Sequence, residues 1–132
     1  MSFSLGYSTY ALKMIDPFDA LHLIKNAGYE ALEICLSENW PTSPLAFSTK
    51  RQIELRNLIQ DLGFPSPIFF GNIDVCASMA NLKTMLDLTK RKIEMAHRLH
   101  FDRSPILITT TAGQSTPPWN SSKNRIVDSF LS

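Results

Sequence analysis

Lys25-Asn26-Ala27-Gly28-Tyr29-Glu30-Ala31-Leu32-Glu33-Ile34-Cys35-Leu36 reads as the last turn of a helix, a glycine that stops it, and a strand that starts at once. Glycine suits the position after a helix because it adopts the left-handed backbone that closes the last turn. The same punctuation returns in Gln60-Asp61-Leu62-Gly63-Phe64, and again in Arg98-Leu99-His100-Phe101, where a histidine stands in for the glycine. Histidine tolerates positive φ better than most side chains. With Tyr29, Phe64 and Phe101 as markers the period is about 36 residues, the size of a strand plus a helix.

Caps and apolar spacing place the helices on either side of that turn. The first opens at Asp16-Pro17, an N-cap followed by proline at N1, and carries Ala20, Leu21, Ile24 and Ala27 on one face. The second begins near Thr49, whose spacing to Gln52 matches a capping box, with Leu55, Leu58, Ile59 and Leu62 facing inward. The third runs from about Asn81 to Leu99 with Leu82, Leu86, Thr89, Ile93 and Ala96 inward. Between them, Ala31 to Leu36, Ile68 to Phe70 and Ile106 to Thr110 are short and mainly apolar, the pattern of strands covered on both faces. A first strand spans about Phe3 to Thr9. Strands separated by helices imply parallel pairing through crossovers, so the reading is an α/β fold of about four βα units with parallel strands. A fourth helix is expected from Ser122, with Ile126, Val127, Phe130 and Leu131 apolar. It runs to Ser132 without a C-cap, which leads to the expectation that the fold continues past this point.

With 132 residues and 44% hydrophobic content the chain can bury a core. Lysine plus arginine number 13 against 12 acidic residues, so there is no net field to steer nucleic acid or an anionic membrane. Neither partner is expected. Met1-Ser2-Phe3-Ser4-Leu5-Gly6-Tyr7 lacks the basic and apolar regions of a signal peptide, and no stretch approaches the ~20 apolar residues of a membrane helix. A cytoplasmic location is the resulting expectation. Cys35 and Cys76 have no metal-type spacing around them and read as reduced packing residues.

In parallel α/β folds ligands lie at the carboxyl ends of the strands. The residues leaving the strands are Ser8, Thr9 and Tyr10; Ser37, Glu38 and Trp40; Asn72 and Asp74; and Thr109 to Gly113. This polar and aromatic set suits a hydroxyl-rich molecule, although ordinary loop polarity gives the same list. Glu33 stands out because it interrupts an apolar strand, where a carboxylate must find a partner. It is either a hydrogen-bonding or acid/base group, or one half of a structural pairing with a lysine or backbone amide. His22, His97 and His100 fall on helices or a helix end, away from any common point, and read as solvated or capping. Lys90-Arg91-Lys92 reads as the wet face of the third helix. Neither a GxGxxG nor a Walker A pattern is present.

Leu5 to Leu12, the helix start Asp16-Pro17, the turn Gly28 to Ile34 and Leu62-Gly63-Phe64-Pro65 together resemble the xylose-isomerase-like TIM barrels, the sugar phosphate isomerases/epimerases. Asn72 and the stretch Thr109 to Trp119 also look like loops of that family. The resemblance implies a partial TIM (βα)8 barrel, residues 1–132 forming its N-terminal half and ending within the fourth helix. It implies a sugar or sugar phosphate as ligand and isomerisation or epimerisation as the reaction. A divalent metal, Mn or Mg, is implied for the full-length family, its ligands drawn from later strands, so that this chain alone binds none and is inactive by itself. The residues implied to face substrate are Tyr10, Glu33, Asn72 and Thr111. Two alternatives stand beside this reading. One is a non-catalytic half-barrel that self-associates through open barrel edges. The other is an endonuclease-IV-like repair fragment, disfavoured because Asn72 and Thr111 stand where that family has metal-binding histidines.

Overall fold

The structure is a computed structural model that describes residues 3–73, 81–102, 104–109, 120, 123–124 and 127. In chain order the elements are β1 (Gly6–Ser8), a short 3-10 turn (Thr9–Leu12), α1 (Pro17–Asn26), β2 (Ala31–Cys35), α2 (Thr49–Asp61), β3 (Ile68–Phe70), α3 (Leu82–Leu99) and β4 (Leu107–Ile108). The strands form one sheet in the order β1-β2-β3-β4, every neighbouring pair parallel. The α/β reading holds, and the strand order advances without reversal.

Local chemistry explains the boundaries. Asp16 caps α1 by accepting the Phe18 N–H at 3.0 Å, and Pro17 occupies the first turn, where no N–H is missed. At the other end Gly28 has φ 88°, and the Gly28 and Tyr29 N–H groups donate to Lys25 and Ile24 carbonyls. Gly63, at φ 69°, repeats the arrangement, with Gly63 and Phe64 donating to Gln60 and Ile59. Both are Schellman endings, which satisfy the last carbonyls and turn the chain back toward the sheet. The third repeat differs: His100 has φ −85° and ψ 154°, so α3 ends by going directly into extended backbone. An imidazole in place of the glycine makes the left-handed turn costly, and the chain avoids it.

Further expectations shift. The N-cap of α2 is Ser48, not Thr49; its hydroxyl accepts the Arg51 N–H at 3.4 Å. Gln52 is buried instead, donating to the Phe47 carbonyl at 2.8 Å. On α3 the inward face is Lys92, Met95, Ala96 and Leu99, whereas Leu86 and Ile93 are about half exposed. Lys92 therefore does not belong to the wet face, although Lys90 and Arg91 do. Ala27 is exposed at the end of α1. Of the expected fourth helix, Asn120, Lys123, Asn124 and Val127 have helical backbone, while Ile126, Phe130 and Leu131 lie outside the described residues.

Helices α1, α2 and α3 pack on one face of the sheet. Leu21 and Ile24 of α1, Leu55 and Ile59 of α2, and Met95, Ala96 and Leu99 of α3 close over Leu32, Ile34 and Phe69. Each fully buried Leu, Ile or Phe contributes about 1.5–3 kcal/mol, so this layer is where the fold's stability resides. Strand side chains alternate, so Ser8, Glu33, Ile68, Phe70 and Ile108 point to the opposite face. Here the expectation of strands covered on both sides fails among the described residues: Ile68 and Phe70 are half-buried and Ile108 is exposed. From that side Tyr10 meets the edge of Phe70, and Ile68 and Ile108 keep part of their surface open.

Candidate functional site

The open face holds a concavity of about 430 Å³ lined by Ser8, Tyr10, Ala11, Glu33, Phe70 and Ile108. Its centre is set by strand register: Ser8 of β1 lies opposite Glu33 of β2, which lies opposite Ile68 of β3. Parallel pairing brings Ser8 and Glu33 onto the same face, and the Ser8 hydroxyl donates to Glu33 Oε1 at 2.5 Å. The same Ser8 oxygen accepts the Tyr10 N–H at 3.1 Å, which turns the chain into the 3-10 segment at the strand exit. Glu33 is thus paired through a serine hydroxyl, not through the lysine or backbone amide that its structural reading called for.

Aromatic rings build the wall above the carboxylate. Tyr10 stacks on Trp40, with centroids 4.7 Å apart and planes at 24°, and meets Phe70 edge-on at 5.6 Å and 82°. Trp40 Nε1 donates to the Tyr10 carbonyl at 3.0 Å, so the loops leaving β1 and β2 are joined. Lys13 Nζ lies 4.5 Å from the Trp40 centroid, a cation–π contact on the outer side. Tyr10 keeps about half its surface exposed, leaving a phenol and a ring available to a ligand beside Glu33.

The end of β2 is held from both sides. Cys35 N–H donates to the Thr9 hydroxyl at 2.9 Å, and the Thr42 hydroxyl donates to the Cys35 carbonyl. Cys35 itself is a buried free thiol. Burial pushes that thiol up from its ordinary range and the Glu33 carboxylate adds to the effect, while Ser37 and Lys92 pull the other way. The group is a packing residue at neutral pH, in line with the sequence reading. Cys76 lies outside the described residues.

A second cavity, about 240 Å³, lies between the exits of β2 and β3 and the inner side of α3. Glu38, Asn72, Asn81 and Lys92 line it. The Lys92 side chain is only 3% exposed; its Nζ donates to the Asn72 carbonyl at 2.6 Å and approaches Glu38 Oε1 at 3.4 Å.

Of the four residues expected to face substrate, Tyr10 and Glu33 share the open-face concavity. Asn72 lines the second cavity instead, and Thr111 lies outside the described residues, as do Asp74 and Trp119. Sequence reasoning missed Phe70 and Ile108 as lining residues and Lys92 as a buried cation. Alternation puts Ile68 and Phe70 on one face of β3, but only the strand register joins Phe70 and Ile108 to the face of Glu33. The stripe Met85, Leu88, Lys92, Met95, Leu99 at helical spacing would have exposed the third.

Among the described residues the three histidines do not come together: His22 and His97 are exposed, and His100 Nε2 lies 3.6 Å from Asp102. Among the described residues no three His, Cys, Asp or Glu side chains group to hold a metal, and no helix is long and apolar enough to cross a membrane. No family model matches the chain, and no curated protein matches it.

Proposed function

We propose that this chain forms a sector of a xylose-isomerase-like TIM barrel and binds a sugar or sugar phosphate on its open sheet face, as an isomerase- or epimerase-like protein. The supporting observation is the arrangement of Glu33, Ser8 and Tyr10 on the face the helices leave open, near the strand exits. An unreversed parallel order with α1, α2 and α3 on one side is what a barrel sector requires, and in a barrel the open face becomes the interior. A carboxylate accepts sugar hydroxyls, and aromatic rings such as Tyr10 and Phe70 take the apolar C–H face of a pyranose.

A divalent metal does not fit this face as described. Its lining holds one carboxylate, Glu33, and neither histidine nor cysteine. The role proposed for these residues is therefore binding and orientation of the ligand, with Glu33 placed to take or return a proton. The isolated chain is expected to show no sugar isomerisation, and measurable turnover with added Mn²⁺ or Mg²⁺ would overturn that expectation.

Binding is tested by Trp40 fluorescence in a Trp119→Phe background, titrated with pentoses, hexoses and their phosphates. A saturable change that Glu33→Gln and Tyr10→Ala each weaken at least tenfold supports the reading; no saturable change with any sugar at millimolar concentration refutes it. A second reading, a self-associating half-barrel, is favoured by the exposure of Ile106 and Ile108, because parallel sheets are normally covered on both faces. Light scattering separates the two: a stable monomer with low dye binding to apolar surface excludes self-association.

A further inference from the structure

Lys92 is a charged residue inside the buried layer, 2% exposed. A lysine is rarely this buried unless it is paired, because the ammonium loses its hydration. Its stem crosses Gly71, where an added Cβ would come within 3.2 Å of Lys92 Cδ, so the glycine is what lets the side chain lie flat against the end of β3. An ammonium has three donors. One goes to the Asn72 carbonyl at 2.6 Å; a second is directed to Glu38 at the longer distance of 3.4 Å; the third has no acceptor among the described residues. Glu38 is about half exposed and free to swing into solvent, so its carboxylate is a loosely held anion at the mouth of a 240 Å³ cavity. The far end of that cavity reaches Asn81 and Thr84 at the start of α3, where Asn81 makes no side-chain cap and no acidic residue occupies the first turn. A helix start of that kind favours negative charge.

We propose that Lys92 is the anchor of an anion subsite that takes a phosphoryl group, and that Glu38 holds the place of that group until the ligand displaces it. The subsite opens at the exits of β2 and β3, the same end of the sheet as the Glu33 concavity. This goes beyond the sugar-binding proposal: the subsite shares no lining residue with the Glu33 concavity, and the ligand class it names is a phosphoryl-bearing anion.

The test is calorimetric titration of the protein with inorganic phosphate, comparing wild type, Lys92→Met and Glu38→Gln. Lys92→Met keeps the length and apolar stem of the side chain and removes the charge. Saturable binding is expected for wild type, at least tenfold weaker for Lys92→Met, and about three- to fivefold tighter for Glu38→Gln, where the competing carboxylate is gone. Should Lys92→Met fail to fold, Glu38→Gln still decides, because unchanged or weaker phosphate binding by that variant overturns the displacement. Equal binding by wild type and folded Lys92→Met, or no saturable binding by wild type and Glu38→Gln, makes Lys92 a structural pin only. A neutral pentose read through Trp40 reports the other face alone. Pentose binding without phosphate binding defeats the subsite, and phosphate binding without pentose binding defeats the sugar reading.

Discussion

Removing the Ser8 hydroxyl and the Glu33 charge, singly and together, measures the pair at the centre of the open face. A hydrogen bond to a charged group contributes about 1.5–3 kcal/mol when buried. The Ser8 to Glu33 bond is short, 2.5 Å, but only part-buried, which places its coupling near ~1 kcal/mol. Ser8→Ala should cost about 1–2 kcal/mol, because it strands the carboxylate and also takes away the acceptor of the Tyr10 N–H. Glu33→Gln should cost about 1 kcal/mol, since an amide oxygen still accepts from Ser8 but carries no charge. The double variant should cost less than the sum of the two by about 1 kcal/mol, the energy being counted once. Glu38→Gln serves as control: its carboxylate is half exposed at 3.4 Å from Lys92, and the change should stay below about 0.5 kcal/mol. Urea denaturation followed by circular dichroism gives all five stabilities. A coupling no larger than the ~0.3–0.5 kcal/mol scatter of independent sites would show that the pair holds nothing together. A Glu38→Gln effect equal to that of Glu33→Gln would remove the distinction between the two carboxylates.

Asp16 accepts from Phe18 N–H and from Arg51 at 2.6 Å. Its slight burial alone would raise the carboxyl, but the Arg51 hydrogen bond, the Phe18 N–H and the Arg51 charge together hold it below the usual carboxylate range. Stability from that charge is present above the ordinary aspartate value and lost as pH falls through the lowered one. The gap between wild type and Asp16→Asn should therefore be measurable at about pH 6 and narrow as pH falls below the ordinary aspartate range, and a pH-independent gap would refute the assignment. Gly28→Ala meets no atom within 4 Å, so its cost is conformational alone, about 1–2 kcal/mol by thermal melt; no loss would mean that the turn tolerates a side chain. In a Cys76→Ser background, native Cys35 should react with thiol reagents only as fast as the protein opens. Because its folded value is raised, its contribution is intact below the ordinary thiol range and falls away as pH rises above about pH 9. Labelling at the rate of a free thiol would contradict its burial.

How much of this was legible beforehand follows from the range of each interaction. Gly28 and Gly63 stop their helices through hydrogen bonds that close within six residues, and the flanking residues announce them. Asp16-Pro17 is similarly local. Strand placement followed from apolar runs between those stops, and Ile68–Phe70 was read to the residue. His100 shows the limit of a local rule, because extended backbone was open to it as well as a left-handed turn. The inner stripe of α3 was misjudged because Leu86 and Ile93 also recur at helical spacing, and only packing against α2 and the sheet selects between two overlapping stripes.

The amino-acid order by itself determined the repeating strand and helix, the stops between them, and the oddity of a carboxylate at position 33. Tertiary structure alone decided what that carboxylate meets, since Ser8 lies 25 residues away and reaches it only through strand register. It also decided that Lys92 is buried, since its partners come from the exits of β2 and β3, 54 and 20 residues earlier. The physical reason is common to both. Helix and turn signals depend on neighbours along the chain, whereas pairing and burial of polar groups depend on which distant backbone the hydrophobic layer brings alongside.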